Sequence, residues 1–533
     1  MKKRKIKKFE FHPAVTYLIL IILTILLSFI FSLFDFQSTY YSVNGVDNII
    51  DQTAVTVTNL LSFSGLKEII SNATVNFISF TPLSMYLLSA IGICVCEASG
   101  YLDVLFKRVF SKINGRVITF IIIFLATISS IINEIGFVIL IPIAALIYKS
   151  KNRNPLVGIV AAFCGVAFST GTSIFVGSLE ASLIPYTTSA AGIIDSTYHI
   201  SLLSNLFIMI ASSIILSIVG TIVIEKIISP KLSKYFNRVK KEETIELIDE
   251  IENIDDDLKI EQKNLETEYH EKRGFRIATI ISIIYLLIFI YSLIPNLPFS
   301  GLLLDTTQDT YLKQVFGSNS YFQDGFTFMI STFFFVTGLS YGIGAKTFTD
   351  SFNLVEKCEN SLKEIGNIVL LLFFSSQFIS IFKMSNIGSI FTSILSNFLN
   401  NMSFGGLPLL IIAFIFIAIS NLFLTSTESK YKIYAAILIP TLMKSNISPQ
   451  FVQFMIRGAD SITNGITPLY AYLAIFVGYL NIYNNNDKPI TLFKSIRIIF
   501  PYFVIISIVW LLIILGWYII GLPIGPYVYP IYS

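Results

Sequence analysis

Charge is what this chain has least of. Only 13% of its 533 residues are Asp, Glu, Lys or Arg, against roughly 25% in an average soluble domain, while 54% are hydrophobic. A soluble globule of this length has too little interior to hide so much apolar surface, so a polytopic membrane protein is expected. An excess of one sign is missing too: 37 basic and 34 acidic residues leave +3, too balanced for a chain that grips nucleic acid. The expected surroundings are the lipid bilayer, with no nucleic-acid partner. The four cysteines (Cys94, Cys96, Cys164, Cys358) and three histidines (His12, His199, His270) show no metal-ligand spacing, so neither metal nor cofactor is expected. Cys94 and Cys96 sit two apart in a helical run, point to different faces, and read as small buried hydrophobes.

What is present is a series of apolar runs. Stretches long enough to cross about 30 Å of hydrocarbon lie near 13–33, 77–97, 155–185, 200–224, 274–294, 323–344, 364–383, 447–480 and 496–520. The first has no small-residue cleavage site after it and reads as a retained helix. The opening MKKRKIKK goes to the cytoplasm by the positive-inside rule, which puts residues 35–75 outside as a loop and, after nine crossings, the C-terminal tail outside as well.

Two stretches do not fit as single crossings. Residues 116–150 form two short apolar arms around the polar SSIINE at 129–134, with basic residues at both ends. An arm of about 14 residues reaches only about 21 Å, so this segment reads as a re-entrant hairpin with its polar tip deep in the membrane, tolerable only beside protein or a water-filled cavity. Residues 405–446 repeat the pattern around SNLFLTSTESK at 420–430, with both ends outside by the crossing count. Each hairpin precedes a long apolar helix with a break, FSTGTS at 168–173 in helix 155–185 and TNGITP at 463–468 in helix 447–480. The expected fold is therefore all-α: nine transmembrane helices plus two oppositely oriented re-entrant hairpins, an inverted repeat with broken helices, as in secondary transporters.

The expected organisation is a basic cytoplasmic N-terminus (1–12), a first membrane half (13–225), a charged cytoplasmic connector (226–273) and a second half (274–533). The connector holds 10 basic and 13 acidic residues. Leu247, Ile251, Ile254, Leu258 and Leu265 keep rough heptad spacing there, which fits a short coiled coil or a solvated linker helix.

An ionisable group inside a span is costly unless paired, which singles out Glu97, Glu134, Glu180, Glu428, Lys430, Arg457 and Asp460. Arg457 and Asp460 are three apart on one helix and face the same way: either a structural ion pair, or an Arg whose planar fork receives a substrate carboxylate. Glu180 follows the first break, where it either carries a proton or caps exposed amides; Glu134, at the first tip, either binds a cation or caps the second arm. Ser129, Ser130 and Asn133 in one half, with Ser461, Thr463 and Asn464 in the other, supply the oxygens that hard cations take.

CEASGYLDVL at 96–105, IGFVILIPIAALIY at 135–148, GLSYGIGAKT at 338–347 and RGADSITNGITPLYAY at 457–472 resemble the aminobenzoyl-glutamate transporter (AbgT) family, and the likeness runs along nearly the whole chain. It implies a dimeric bacterial inner-membrane protein that moves p-aminobenzoyl-glutamate or sulfonamide-like antimetabolites, driven by a Na⁺ or H⁺ gradient. It also implies a substrate region of Glu180, Ser426, Tyr431, Pro449, Arg457, Asp460 and Pro468. Here Glu180 and Glu134 stand where the family has Asp, Tyr431 replaces a Trp, and Glu428 replaces a small polar residue. These changes keep the site acidic and aromatic. The rival readings are transport of another small mono- or dicarboxylate, a channel, and a membrane-embedded enzyme; no histidine lies in an expected span to serve the last.

Overall fold

The computed structural model describes residues 11–132, 134–232, 254–317, 320–486 and 488–532. Asn133, Leu247 and Ile251 lie outside the described residues. Among the described residues, seven helices are long and apolar enough to cross a membrane: Pro13–Leu33, Phe63–Ser99, Leu206–Leu232, Glu268–Tyr291, Tyr321–Gly344, Ile365–Met384 and Leu492–Ile520. The rest of the apolar sequence forms shorter helices in two sets of the same order.

The first set begins after the amphipathic helix Tyr101–Phe110. Asn114 caps the arm Gly115–Ile128 by accepting the Arg116 amide at 3.1 Å. The chain turns through Ser129–Ile131 and returns as Gly136–Ser150. Its two ends are fastened together: Arg153 Nη1 donates to the Gly115 carbonyl at 2.6 Å, and Lys151 Nζ to those of Phe110 and Ser111 at 2.9 and 2.8 Å. The second hairpin pairs Gly406–Asn421 with Thr427–Met443, and its ends close so tightly that a side chain at Gly405 would collide with Ser445.

Each hairpin leads into a broken helix, Pro155–Ala167 then Ser178–Gly192, and Pro449–Ser461 then Leu473–Ile482. Pro155 and Pro449 start their helices where a missing N–H costs nothing. Both leading pieces are buried along their entire length and form the centre of the molecule. The first break is longer than FSTGTS implies, since helix resumes only at Ser178, and its second piece runs past 185 to Gly192. In the second, a single 3₁₀ turn, Asn464–Ile466, precedes the restart at Leu473.

One expectation changes. Residues 35–75 are not a loop: Gln37–Val43 and Ile50–Thr56 form an antiparallel ribbon, Tyr40 opposite Thr53, followed by helix Phe63–Ile78. The reversal is the loop of residues 44–49, which opens with Gly45 at φ +79° and Asn44 Oδ1 accepting the Val46 amide at 2.9 Å. The ribbon clamps helix Ile387–Asn400 through Ser38–Ser393 (2.7 Å) and Asn397 to Thr39 O (2.6 Å). The connector, for its part, is helical from Ile254 onward. Ile254–Tyr291 is one helix of 38 residues that enters the next apolar segment without interruption.

The GLSYGIGAKT motif has a packing reason. Gly338 lies against the Cys96 backbone, as Gly92 on the facing helix lies against Ser331, leaving no room for a Cβ at either position. Small residues let the two helices approach closely.

Candidate functional site

The helix Pro449–Ser461 is fully buried yet carries Gln450, Gln453, Arg457 and Asp460. Their spacing of three, four and three puts them on one stripe of the helix, and each finds a partner on another element. Tyr198 donates to Gln450 at 2.8 Å and Thr187 to Gln453 at 2.8 Å. Arg457 forms an ion pair with Glu180, and Asp460 one with Lys430, both pairs nearly inaccessible to solvent. The reading of Arg457 and Asp460 as each other's ion-pair partner is thus corrected. A bond along the helix would leave Glu180 and Lys430 buried without a counter-charge, which costs several kcal/mol each.

Glu180 also accepts the Gly177 amide at 3.0 Å. It therefore does cap the restarted helix, favourably placed at a helix N-terminus, while neutralising Arg457. Glu134 does not cap its own arm, whose N-cap, Ile135, has no side-chain bond. Its carboxylate instead accepts from Tyr470 of the second half at 3.1 Å, beside a stacked pair of rings, Phe137 and Tyr472, with centroids 4.6 Å apart.

Tips and breaks interlock. Ser130 donates to Thr172 O in the first break at 2.7 Å, while Ser129 turns back to Ala126 O of its own arm. Asn421, at the second tip, reaches Asp460 O (2.7 Å), Thr463 Oγ1 (3.0 Å) and Asn464 Oδ1 (2.7 Å) with its amide nitrogen. Thr463 donates to Ala418 O and Ser461 to Gly458 O, each at 2.9 Å. Asn464 crosses to the first break, donating to Thr170 Oγ1 at 3.1 Å.

Between the tips lies a cavity of about 570 Å³, within the usual range for a small-molecule site. Ser130, Glu134, Ser426, Glu428 and Asn464 line it, together with residues the sequence reading did not assign: Thr170, Thr427, Tyr470, Tyr472, Phe316 and Asp324. Its charged lining, among the described residues, is wholly acidic: Glu134, Asp324 and Glu428. Glu428 accepts from Tyr186 at 2.6 Å and pairs with Lys432 at 3.0 Å. Ser426 caps the second arm there. Glu180, Arg457 and Asp460 lie outside that lining, buried in their ion pairs. Tyr431 is buried away from it too, its hydroxyl on Thr187 at 2.6 Å; Pro449 opens its helix and Pro468 sits half-buried in the second break.

Apolar helices of spanning length, two hairpins closed at their bases, and a polar cavity where their tips meet two broken helices define a polytopic membrane transporter. The chain belongs to the AbgT putative transporter family, whose model matches residues 8–532. It is 29% identical over 523 residues to the p-aminobenzoyl-glutamate transport protein of Escherichia coli (strain K12), covering 97% of this chain and 94% of that one. Among solved structures, it aligns with the YdaH transporter of Alcanivorax borkumensis at 24% identity, covering 97% of this chain and all of that one, with a TM-score of 0.47. MtrF of Neisseria gonorrhoeae, from a class of antimetabolite efflux pumps, aligns at 26% identity over 98% of both chains, with a TM-score of 0.47.

Proposed function

We propose that this protein is a cation-coupled secondary transporter of p-aminobenzoyl-glutamate or a related aromatic anion across the bacterial inner membrane. In this reading the chain crosses nine times, its two hairpins enter from opposite sides, the N-terminus is cytoplasmic, the C-terminus is outside, and two copies form a homodimer. The observation that carries it is the cavity of about 570 Å³ at the meeting of both tips and both breaks. The ligand's ring lies against Tyr470 and Tyr472, and Ser130, Ser426 and Asn464 contact its polar groups. Glu134, on the same wall, takes the coupling Na⁺ or H⁺. Ser129, Ser461 and Thr463 shape the tips and breaks around that load. Glu180, Tyr431, Pro449, Arg457, Asp460 and Pro468 act from behind the wall, holding the broken helices in register.

The E. coli relative's name supports the ligand class. A second reading, sulfonamide-like aromatic amines with less negative charge, is favoured by the three carboxylates in the cavity lining. Purified protein in proteoliposomes is expected to accumulate radiolabelled p-aminobenzoyl-glutamate or a labelled sulfonamide against its gradient when a Na⁺ or proton gradient is imposed. Failure to accumulate either ligand under both gradients, in either orientation, rejects the proposal.

A further inference from the structure

We infer that the ammonium group of Lys430 is the resident cation of the second hairpin tip, seated where a small inorganic cation would otherwise bind, so that exchangeable cation coupling belongs to the first half. The inference rests on the cation-coupled reading above.

Lys430 stands in the first turn of the arm Thr427–Met443 and is 1% exposed. Its ammonium meets Asp460 Oδ1 and Asn421 Oδ1. These oxygens come from different elements, one from the end of the opposite hairpin arm and one from the helix that leads into the second break. Both are held in place independently of the lysine. Thr427 donates to Asp460 Oδ2 at 2.5 Å, leaving Oδ1 for the ammonium. The Asn421 amide nitrogen is occupied by Asp460 O, Thr463 Oγ1 and Asn464 Oδ1, which turns its carbonyl oxygen toward the same point. A carboxylate and an amide oxygen converging between a hairpin tip and a break are ligands of a hard monovalent or divalent cation. Here the point of convergence is filled by a charge that is covalently tethered and cannot leave with a substrate.

The first half is built differently. Between Arg116 and Lys149 the sequence has no Lys or Arg. The tip carboxylate there, Glu134, is met by the neutral hydroxyl of Tyr470 and faces the cavity. One half thus carries a fixed cation on its acid, and the other presents an acid at a hairpin tip with basic side chains only at the hairpin's two ends.

The test uses the full chain and Na⁺ alone as the probe, in a Glu134→Gln background that removes the first-half carboxylate. Glu134→Gln itself is expected to show no Na⁺-specific change in Tm relative to choline at equal ionic strength. Adding Lys430→Ala opens space beside Asp460, and this double variant is expected to lose stability in choline and to gain roughly 5 °C in Tm as Na⁺ saturates. Replacing the pair together, Lys430→Met with Asp460→Asn, removes both charges and is expected to show no Na⁺ response. A purely structural ion pair predicts instead that Lys430→Ala is destabilised equally in both salts, and that result overturns the inference. So does a Na⁺ response in Glu134→Gln alone, or one that survives Asp460→Asn. A Lys430→Ala protein that folds in neither salt also counts against it. These are binding readouts on purified protein, so failure of ligand transport by the wild type would reject the proposed function without touching them.

Discussion

The side-chain amide of Asn464, in the second break, donates to the hydroxyl of Thr170, in the first, at 3.1 Å. On its other side Asn464 accepts from Asn421 at 2.7 Å. One buried residue thus ties a hairpin tip to the unwound segments of both broken helices. Any movement of one half against the other must carry this link along or break it.

Asn464→Ala should therefore cost more than the loss of one hydrogen bond. It removes two hydrogen bonds, one from the buried Asn421 amide and one to Thr170, a loss of about 2 kcal/mol, whereas Thr170→Val removes one bond and should cost about 1 kcal/mol. Thermal unfolding of the purified variants compares them. Equal losses would show that Asn464 is no hub.

Arg457 and Glu180 should behave as a unit. Either Arg457→Ala or Glu180→Gln strands a buried charge or donor, and the arginine loss should cost about 3–5 kcal/mol. Replacing both by Met should recover much of that, since a buried pair is often no better than apolar packing. Strictly additive losses across this double-mutant cycle would rule out the pairing.

The hairpins are expected to open to opposite sides of the membrane. In a cysteine-free background, cysteines at Lys112 and Lys151 should be labelled by an impermeant thiol reagent only from the cytoplasm. Those at Asn401 and Asn446 should be labelled only from outside. If Lys112 and Lys151 label from different sides, the first hairpin is a true crossing and the inverted repeat is lost.

Glu428 sits in the cavity wall at a half-exposed position, so its pair with Lys432 contributes little to stability. Its charge still repels an anionic ligand. Glu428→Ser should tighten binding of p-aminobenzoyl-glutamate by about 1 kcal/mol, roughly fivefold, for a unit charge several ångströms away. A sulfonamide without carboxylates should bind within twofold of wild type. Calorimetric titration of both ligands checks this, and a weaker hold on p-aminobenzoyl-glutamate would place Glu428 among its attractive contacts.

The two pairs of short helices around polar turns were legible because their signal is one of length. Arms too short to span, with polar SSIINE and SNLFLTSTESK between them, have few other solutions in a bilayer. Helix-interrupting residues in FSTGTS and TNGITP located the breaks. What the sequence did not show was which charge meets which. Arg457 and Asp460 share a helix face, but so do Gln450 and Gln453, and that stripe at 450, 453, 457 and 460 was the readable sign that a fully buried helix needed several outside partners. The partners themselves, Glu180 and Lys430, are 277 and 30 residues away along the chain from the residues they meet, and only packing selects them. The ribbon was missed for another reason: Asn44-Gly45 is a strong reversal signal, but it sits in a polar stretch already assigned as loop by the crossing count.

The helix Ile254–Tyr291 has 38 residues, or about 57 Å at about 1.5 Å per residue. Only Glu268–Tyr291 is apolar enough to sit in lipid, so its first fourteen residues stand proud of the bilayer as a stiff mast of about 21 Å. A mast magnifies rotation. If its apolar base leans by about 10°, its tip travels about 4 Å sideways, so small tilts of the element on which it is mounted become larger displacements beyond the lipid.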